Sequence, residues 1–389
     1  MRAPFWPLLV LLGVASAGAC SLLNPLDGYS GGDAALADAA PQIDAGLSDV
    51  ATPEAGEAGP ACTSARPPPR PEGQLGGDLV VVNAIRTFEF GEANDPQKPT
   101  SEGLDLDSTC TCPGTRSCRP VLGAGTCDFL GGVDNAAGPY FISLVSVLGK
   151  DNSVSARIAR GQYGLTVRIK NYNGLADDDE VEVAIFNSFG LDVSTGDAGT
   201  DGSTDAGSVR TTPQFDGNDR WTVDAKSLLG GTAYLPNIVD TRAYVRGFTV
   251  VATLSNSIRV GPYTVPIVGG TLLAHIVKSG DTFACDRGTI SGRTNARELL
   301  TALESVPNPI APSSFLCGED SVFKNVRDRF CQTLDITTDP TLDGRDAPCD
   351  AASFSVRFTS SPALLGAVVD NGRPQKPCGE SWVATCPTQ

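Results

Sequence analysis

The sequence predicts a mainly β fold, an antiparallel sandwich or jelly roll with two packed helices toward the C-terminus, stapled by disulfides. Three observations predict it. Apolar and polar residues alternate with a period of two in several segments, which is typical of strands with one buried face. Helical periodicity is confined to the C-terminal part of the chain. The chain contains twelve cysteines, and this number suits an oxidising compartment in which disulfides persist.

The strand assignments follow from this alternation. It is clearest in three segments, in which every second residue is apolar: 165–170, 180–185 and 354–358. Gly, Asn and Asp turns delimit five further segments that we predict to be strands: 79–90, 140–148, 221–225, 244–254 and 271–277. Many strands with few helices imply an antiparallel sandwich or jelly roll.

Two helices are predicted near the C-terminus. Asn295 followed by Glu298 forms a capping-box pattern ahead of an apolar stripe, and an Asn-Pro and an Ala-Pro pair end the run. The second helix is predicted at about 320–334, where apolar residues recur every four positions: Val322, Val326, Phe330 and Leu334. Both helices are expected to pack on the sheet or to form a small cap that disulfides join to it.

The N-terminus predicts export and lipid attachment. A basic start, an apolar run at 5–14 and small residues before Cys20 form a secretory signal that ends in a lipobox. Residues 1–19 are then the signal peptide, and the thiol of Cys20 carries the lipid. The alternative is an ordinary cleavable signal whose first mature cysteine forms a disulfide. No later apolar stretch approaches the roughly 20 residues of a membrane-spanning helix, so lipid is the predicted membrane contact.

Composition divides the mature chain into two parts. Residues 20–75 are rich in Ala, Asp, Gly and Pro, and they predict a disordered stalk because they offer few large side chains to offset the ordering entropy. Residues 76–389 are predicted to form a disulfide-bonded, mostly β domain with a disordered loop near 195–210. The net charge of −16 argues against a nucleic-acid partner, because phosphate contacts rely on clustered Lys and Arg.

The remaining cysteines predict disulfides. They form a tight cluster, a group around the predicted helices and a C-terminal pair: Cys110, Cys112, Cys118, Cys127, Cys285, Cys317, Cys331, Cys349, Cys378 and Cys386. Cys110 and Cys112 are poorly placed to bridge each other, so each is expected to pair with Cys118 or Cys127. Zinc at this cluster is the alternative, although the spacing lacks two Cys-x2-Cys knuckles. With Cys20 lipidated, an odd number remains, so one thiol is expected to be free or to bridge to another chain. Cys62 is the first candidate for it, and a tie from Cys62 to the C-terminal cysteines is the alternative.

Few residue patterns indicate catalysis. His275 is the only histidine, and its apolar strand context favours a structural role. A Ser-His-Asp hydrolase or a multi-histidine zinc site therefore has no histidine to draw on. We favour a non-enzymatic binding or structural module whose ligand is a glycan or an envelope protein. The alternative is an envelope hydrolase, such as a glycosidase, that uses two carboxylates.

One acidic region predicts a calcium site. Asp105 and Asp107 precede the cysteine cluster, and Asp128, Asp134 and Asn135 follow it. Local disulfides would bring these carboxylates and the amide oxygen together, and hard oxygen ligands on a rigid loop suit Ca²⁺. The spacing does not match an EF-hand. The alternative is that these residues cap turns by accepting hydrogen bonds from the backbone.

The first 60 residues resemble a known class of protein. Cys20 is followed by Ser21, then by an Asp-Gly pair, a Ser-Gly-Gly triplet and an Asp/Ala/Gly-rich stalk. This arrangement resembles the start of uncharacterised lipoproteins of the myxobacterial type. Ser21 in place of Asp also resembles lipoproteins sorted to the outer membrane, where the domain faces the periplasm or the cell surface. The resemblance implies export and anchoring, and it implies no activity.

Overall fold

The computed structural model describes residues 65–73, 76–111, 115–122, 126–129, 131–147, 153–193, 210–231, 235–260, 263–308, 311, 313–318, 321–370, 376–379 and 381–387. Several predicted features lie outside these ranges: the signal peptide, Cys20, Cys62, Cys112, the stalk before Ala65 and the loop near 195–210 apart from Arg210. Among the described residues, no helix combines the length and the apolar character needed to cross a bilayer.

A closed antiparallel barrel forms the main sheet. The strands are β1 (Leu79–Glu89), β2 (Gly164–Tyr172), β3 (Asp178–Ser188), β4 (Arg220–Asp224), β5 (Ile238–Arg246), β6 (Thr249–Val260), β7 (Tyr263–Ser279), β8 (Thr282–Asn295), β9 (Ala351–Pro362) and β10 (Leu364–Val369). The barrel order is β1, β2, β3, β5, β6, β7, β8 and β9, and β4 and β10 form a separate parallel pair.

The mainly β prediction is confirmed, but the predicted sandwich or jelly roll is wrong. Strand β1 pairs with β9 as well as with β2, so that Asn83 lies opposite Pro362 and Glu89 lies opposite Arg357. The sheet therefore closes on itself and leaves no unpaired edge. Alternation of apolar and polar residues indicates one buried face per strand, and this pattern is the same in a sandwich and in a barrel.

Irregular strands provide the curvature that closure requires. The register shifts between Leu254 and Asn256 in β6 and between Cys285 and Gly288 in β8. A Cβ at Gly288 would lie 2.3 Å from Cζ of Phe358, so glycine is needed for this ring to cross the neighbouring strand. Bulges and glycine kinks bend a sheet in this way.

The strand predicted at 244–254 contains a hairpin. Gly247 and Phe248 have φ angles of 55° and 62°, and Arg246 pairs directly with Thr249. Two central residues with positive φ make a type I′ turn, whose twist matches that of the flanking strands. The sequence concealed this turn because an aromatic residue rarely adopts positive φ.

Helices form where apolar runs pack against the barrel. They are α1 (Gly138–Val147), α2 (Val154–Ala159), α3 (Ala296–Ala302) and α4 (Ser321–Cys331). The Asn295 side chain caps α3 by accepting a hydrogen bond from the Glu298 N–H at 3.1 Å, as predicted. The strand predicted at 140–148 is wrong, because this run forms α1. Tyr140 of α1 packs edge-on against Phe330 of α4 with the ring centroids 5.1 Å apart, a contact that local sequence does not reveal.

Three disulfides join distant parts of the chain. They are Cys118–Cys349, Cys317–Cys378 and Cys331–Cys386. Cys110 and Cys127 are also disulfide-bonded. The expectation that Cys118 pairs within its own cluster is wrong, since its partner lies 231 residues away. A tie from Cys62 to the C-terminal cysteines is also wrong, because both have other partners.

Cys285 is the second correction to the predicted disulfides. It was assigned to a bridge, but its thiol is free and buried in β8. Its side chain is only 2% exposed, and burial raises the pKa of the thiol to about 12. Cys285 is therefore a core residue that packs as a small apolar side chain.

Candidate metal centre

Four aspartates of the segment between β1 and α1 meet at one place. Asp105, Asp107 and Asp134 each place a carboxylate oxygen within 4.8 Å of the other two. The Asp128 carboxyl lies next to that of Asp134, and its Oδ2 accepts a hydrogen bond from the Thr111 N–H at 2.7 Å. We call these four aspartates the carboxylate cluster.

Backbone hydrogen bonds bring the two halves of the cluster together. The Leu106 N–H donates to Oδ2 of Asp134 at 2.6 Å, and the Asp134 N–H donates to the carbonyl of Leu104 at 3.0 Å. The Ser355 hydroxyl of β9 donates to the Asp134 carbonyl at 3.3 Å. The segment is thus tied to itself and to the barrel.

Arg293 of β8 binds the segment from the barrel side. This residue is 1% exposed, and its Nη2 donates to the Leu106 carbonyl at 2.6 Å. It also forms a two-pronged ion pair with Asp343, with N···O distances of 2.9 Å and 2.5 Å. Because Asp343 already neutralises this guanidinium, Arg293 positions the loop and leaves the charge of the carboxylate cluster uncompensated.

Two carboxylate oxygens in the cluster have no hydrogen-bond partner. Asp134 is 1% exposed and Asp107 is 9% exposed. Oδ1 of Asp134 and Oδ2 of Asp107 are both buried without a donor, whereas the other oxygen of each accepts a backbone N–H. A buried carboxylate oxygen without a partner is costly. A bound cation would satisfy both oxygens at once.

Burial and mutual repulsion dominate the electrostatics. Burial, followed by repulsion from the neighbouring aspartates, raises the pKa of Asp134 far above its ordinary value. Burial also raises the pKa of Asp128 and of Asp107, although the Ser117 hydroxyl and the Thr109 N–H partly offset the shift at Asp107. Burial and mutual repulsion therefore oppose ionisation of these carboxyl groups, and a bound divalent cation would offset both effects.

Asn135 does not belong to the cluster, although the sequence grouped it with the ligands. Its Nδ2 donates to the Thr100 carbonyl at 2.9 Å, and its Oδ1 accepts from the Ser355 N–H at 2.9 Å. Both ends of the amide are therefore used, one to brace the segment internally at Thr100 and the other to hold it on β9 at Ser355. Adjacent residues of an extended segment point to opposite sides, so Asp134 and Asn135 take different roles.

Turn capping accounts for only one carboxylate oxygen of Asp105 and of Asp107. Oδ1 of Asp105 accepts from the Ser108 N–H at 2.6 Å, and Oδ1 of Asp107 accepts from the Thr109 N–H at 2.7 Å. The capping interpretation thus accounts for one oxygen of each residue. It does not account for the buried second oxygen of Asp107.

Sequence reasoning missed two residues beside the cluster. Ser117 is fully buried, and its hydroxyl has no hydrogen-bond partner of normal length although it lies near Asp107. Asp335 is held by the Ser353 N–H and hydroxyl at 2.8 Å and 2.6 Å, and burial raises its pKa to about 7. Position next to Cys118 is the only signal for Ser117, and Asp335 lies too far along the chain for any local pattern to indicate it.

His275 does not belong to the cluster. Its Nδ1 lies 2.8 Å from Oδ1 of Asp286, and the two side chains are 33% and 52% exposed. The pair bridges neighbouring strands β7 and β8, as expected for a structural histidine. The predicted likeness to myxobacterial lipoproteins rests on residues before Ala65, outside the described part of the chain. No protein-family model, curated protein or solved structure matches this chain.

Proposed function

We propose that this chain is a lipid-anchored structural module of the cell envelope that binds Ca²⁺ at the carboxylate cluster. The observation that supports this proposal is the pair of buried, unpartnered oxygens on Asp107 and Asp134. The ion holds together the two parts of the segment between β1 and α1 that contain these ligands. The protein is non-enzymatic, and its membrane contact is the lipid on Cys20.

The donor set favours Ca²⁺ over other cations. Carboxylate and hydroxyl oxygens are hard ligands, whereas Cys110 and Cys127 are disulfide-bonded and therefore offer no thiolate to zinc. Ca²⁺ accepts six to eight oxygens in irregular geometry, whereas Mg²⁺ requires near-octahedral geometry and retains water. Asp105, Asp107 and Asp134 supply the first ligands, and Asp128 and Ser117 lie close enough to complete the set.

The ion cross-links the segment internally, because Asp105, Asp107 and Asp134 all belong to it. Contacts to the rest of the chain include the Cys118–Cys349 disulfide, the Arg293–Leu106 hydrogen bond and the Asn135–Ser355 hydrogen bond. Without the ion, repulsion between the carboxylates opposes their close approach. With it, the same carboxylates attract a common centre and keep the two parts of the segment together.

The geometry favours a binding or structural role over hydrolysis. A cleft of about 700 Å³ lies between α3 and the strands β6 and β7, and Glu298 and Glu304 are among its lining residues. Asp107 and Asp134 do not line this cleft, so the buried carboxylates have no described route to a sugar substrate. A glycosidase needs its two carboxyl groups on either side of a bound glycosidic bond.

A protein ligand is favoured over a glycan. Trp221 is fully buried and offers no platform for stacking on sugar, and Trp382 packs edge-on against Phe323. Exposed apolar side chains lie instead at Leu229 and Leu235, which are 56% exposed each and are joined by a backbone hydrogen bond of 2.8 Å. An envelope protein is therefore the ligand class that we propose for the outer surface.

Calorimetric titration of the metal-free, full-length protein with CaCl₂ tests the calcium proposal. We expect saturable binding, with a much weaker response to MgCl₂. A hundredfold excess of Ca²⁺ over Kd should add about 2.7 kcal/mol to the free energy of unfolding. Absence of binding heat, together with superimposable thermal melts in chelator and in Ca²⁺, would refute the proposal.

A further inference from the structure

The chain just before the barrel is docked on the carboxylate cluster. We call residues 65–71 the strap. The Ala65 N–H donates to the Gly131 carbonyl at 2.9 Å, and the Ala65 carbonyl accepts from the Asp105 N–H at 2.9 Å. A single strap residue therefore bridges the two parts of the segment that contain the metal ligands.

A second contact of the strap also involves Asp105, through Ser108. The Arg66 guanidinium donates to the Ser108 hydroxyl at 3.4 Å, and the Ser108 N–H donates to Oδ1 of Asp105 at 2.6 Å. Displacement of Asp105 therefore disturbs both contacts at this end of the strap. We call Ala65 and Arg66 the metal-side end.

The other end of the strap is held elsewhere. The Tyr244 hydroxyl donates to the Pro68 carbonyl at 2.5 Å, and the Arg70 guanidinium stacks 4.7 Å from the centre of the Tyr244 ring. Arg70 also donates to the carbonyls of Asp179 and Arg242. These contacts involve β3 and β5 and no residue of the carboxylate cluster.

We propose that Ca²⁺ at the carboxylate cluster controls the docking of the metal-side end of the strap. This inference rests on the proposed calcium site. Bound Ca²⁺ draws Asp105 toward Asp134 and so keeps Asp105 and Gly131 at the separation that Ala65 bridges. Loss of the ion lets the carboxylates move apart, and Ala65 cannot then bond to both.

The consequence is a change in where the strap is held. With Ca²⁺ bound, the strap is held at both ends, from Ala65 to Arg70. Without Ca²⁺, it is held only at the end beside Tyr244, through Pro68 and Arg70. The five residue steps from Ala65 to Arg70 span at most about 17 Å when extended.

Thermodynamic linkage makes the coupling measurable from both sides. If Ca²⁺ strengthens docking of Ala65 by a given factor, docking of Ala65 strengthens Ca²⁺ binding by the same factor. Couplings of this kind are typically 5- to 150-fold. We expect about tenfold here, because two backbone hydrogen bonds and one side-chain bond are involved.

Hydrogen exchange in the full-length protein tests the inference. In the presence of chelator, we expect the Ala65 and Asp105 amides to exchange about tenfold faster than in Ca²⁺. Amides in the middle of β8 should exchange at the same rate in both conditions. Ala65→Pro removes the donor to Gly131, and it should weaken Ca²⁺ binding about tenfold in calorimetric titration.

Asp177→Asn is the matched control, because Asp177 contacts the Gly247 N–H in a turn outside the strap and the carboxylate cluster, and it should leave Ca²⁺ affinity unchanged. If Ca²⁺ binds but the Ala65 and Asp105 amides exchange equally with and without it, the strap inference is overturned and the calcium site stands. If calorimetry detects no Ca²⁺ binding, the proposed function and the inference both fail. Equal affinities of wild type and Ala65→Pro also contradict the coupling.

Discussion

The guanidinium of Arg293 donates to the Leu106 carbonyl at 2.6 Å, while the N–H of the same leucine donates to Asp134. Leu106 is thus fixed on both sides of its backbone, by the barrel and by a metal ligand. Because Leu106 stands between Asp105 and Asp107, this arrangement sets the orientation of three carboxylates. Arg293 is a positioning residue for the metal centre.

Replacement of Arg293 should reduce Ca²⁺ affinity. Arg293→Met leaves Asp343 buried without its partner, so we expect a loss of about 3–5 kcal/mol in the free energy of unfolding. The double variant Arg293→Met/Asp343→Asn should recover part of this stability but not the affinity, because the Leu106 carbonyl remains unheld. Urea unfolding and calorimetry measure the two effects. Wild-type affinity in the double variant would contradict the positioning role.

Asp107→Asn should diminish the calcium response without unfolding the domain. The amide keeps an oxygen for the Thr109 N–H but lacks the charge of the second oxygen. Asp177→Asn is the matched control, since Asp177 Oδ1 accepts from the Gly247 N–H at 2.9 Å in a turn away from the cluster. It should cost about 1 kcal/mol with or without Ca²⁺. Thermal melts in chelator and in Ca²⁺ compare the two, and equal calcium shifts would argue for turn capping alone.

The metal-free protein should become more stable as the pH falls. Burial raises the pKa of Asp134 and Asp128, and that of Asp335 to about 7, above the unfolded value near 3.9. The folded state therefore binds more protons than the unfolded state, and the free energy of unfolding rises from about pH 8 toward about pH 5. When Ca²⁺ is bound, protons compete with the ion for the carboxylates, so the free energy of unfolding falls as the pH falls.

Urea unfolding in chelator at several pH values measures this dependence. In the metal-free protein, Asp335→Asn should make the free energy of unfolding less dependent on pH near pH 7, because it removes one of the carboxyl groups whose pKa is raised. A metal-free protein whose stability falls steadily with decreasing pH would contradict the assignment of raised pKa values to this cluster.

Cys285 should be unreactive in the folded protein. Its thiol is buried, with a pKa raised to about 12, and the thiolate is the reactive form. Iodoacetamide at about pH 8 should label Cys285 only after the chain is unfolded in denaturant. Peptide mass spectrometry without reduction detects the label. Labelling of native protein, or a disulfide at Cys285, would contradict the described core.

Lipid attachment is tested independently of the metal. Mass spectrometry of the mature N-terminus should detect a lipid-modified Cys20, and Cys20→Ala should release the protein from the membrane or block its processing. Ser21→Ala is the control and should remain membrane-bound. An unmodified N-terminus in wild-type membranes would contradict the lipobox prediction.

The sequence predicted most of the individual strands but not the closure of the sheet into a barrel. Alternation at 165–170 and 354–358 reports a buried face, whereas the pairing of β1 with β9 depends on contacts between residues such as Asn83 and Pro362. The apolar run at 140–148 has no period that separates a strand from a helix, and its packing against Phe330 decides the outcome. Long-range contacts are therefore the missing information.

For the candidate metal centre, too, the sequence predicted the residues that lie close together in the chain but not those that long-range contacts bring in. Asp105 and Asp107 are two residues apart, and they meet Asp134 as their flanking of the cysteine cluster suggested. The prediction for Asn135 is wrong because its amide binds Thr100 and Ser355, a long-range arrangement that its position next to Asp134 does not reveal. Asp335 comes much later in the chain and lies beside Ser353 of β9, so only the folded structure associates it with the others.

The Cys118–Cys349 disulfide constrains the order in which the molecule is assembled. It closes a loop of 231 residues that includes every barrel strand except β1 and β9. Cys118 and the aspartates that flank it are synthesised early, whereas Cys349 and the contacts of the segment in β8 and β9 come near the end of the barrel sequence. Native pairing of Cys118 therefore requires almost the whole barrel sequence. A chain truncated before Cys349 cannot form this disulfide, even though it contains most of the barrel strands.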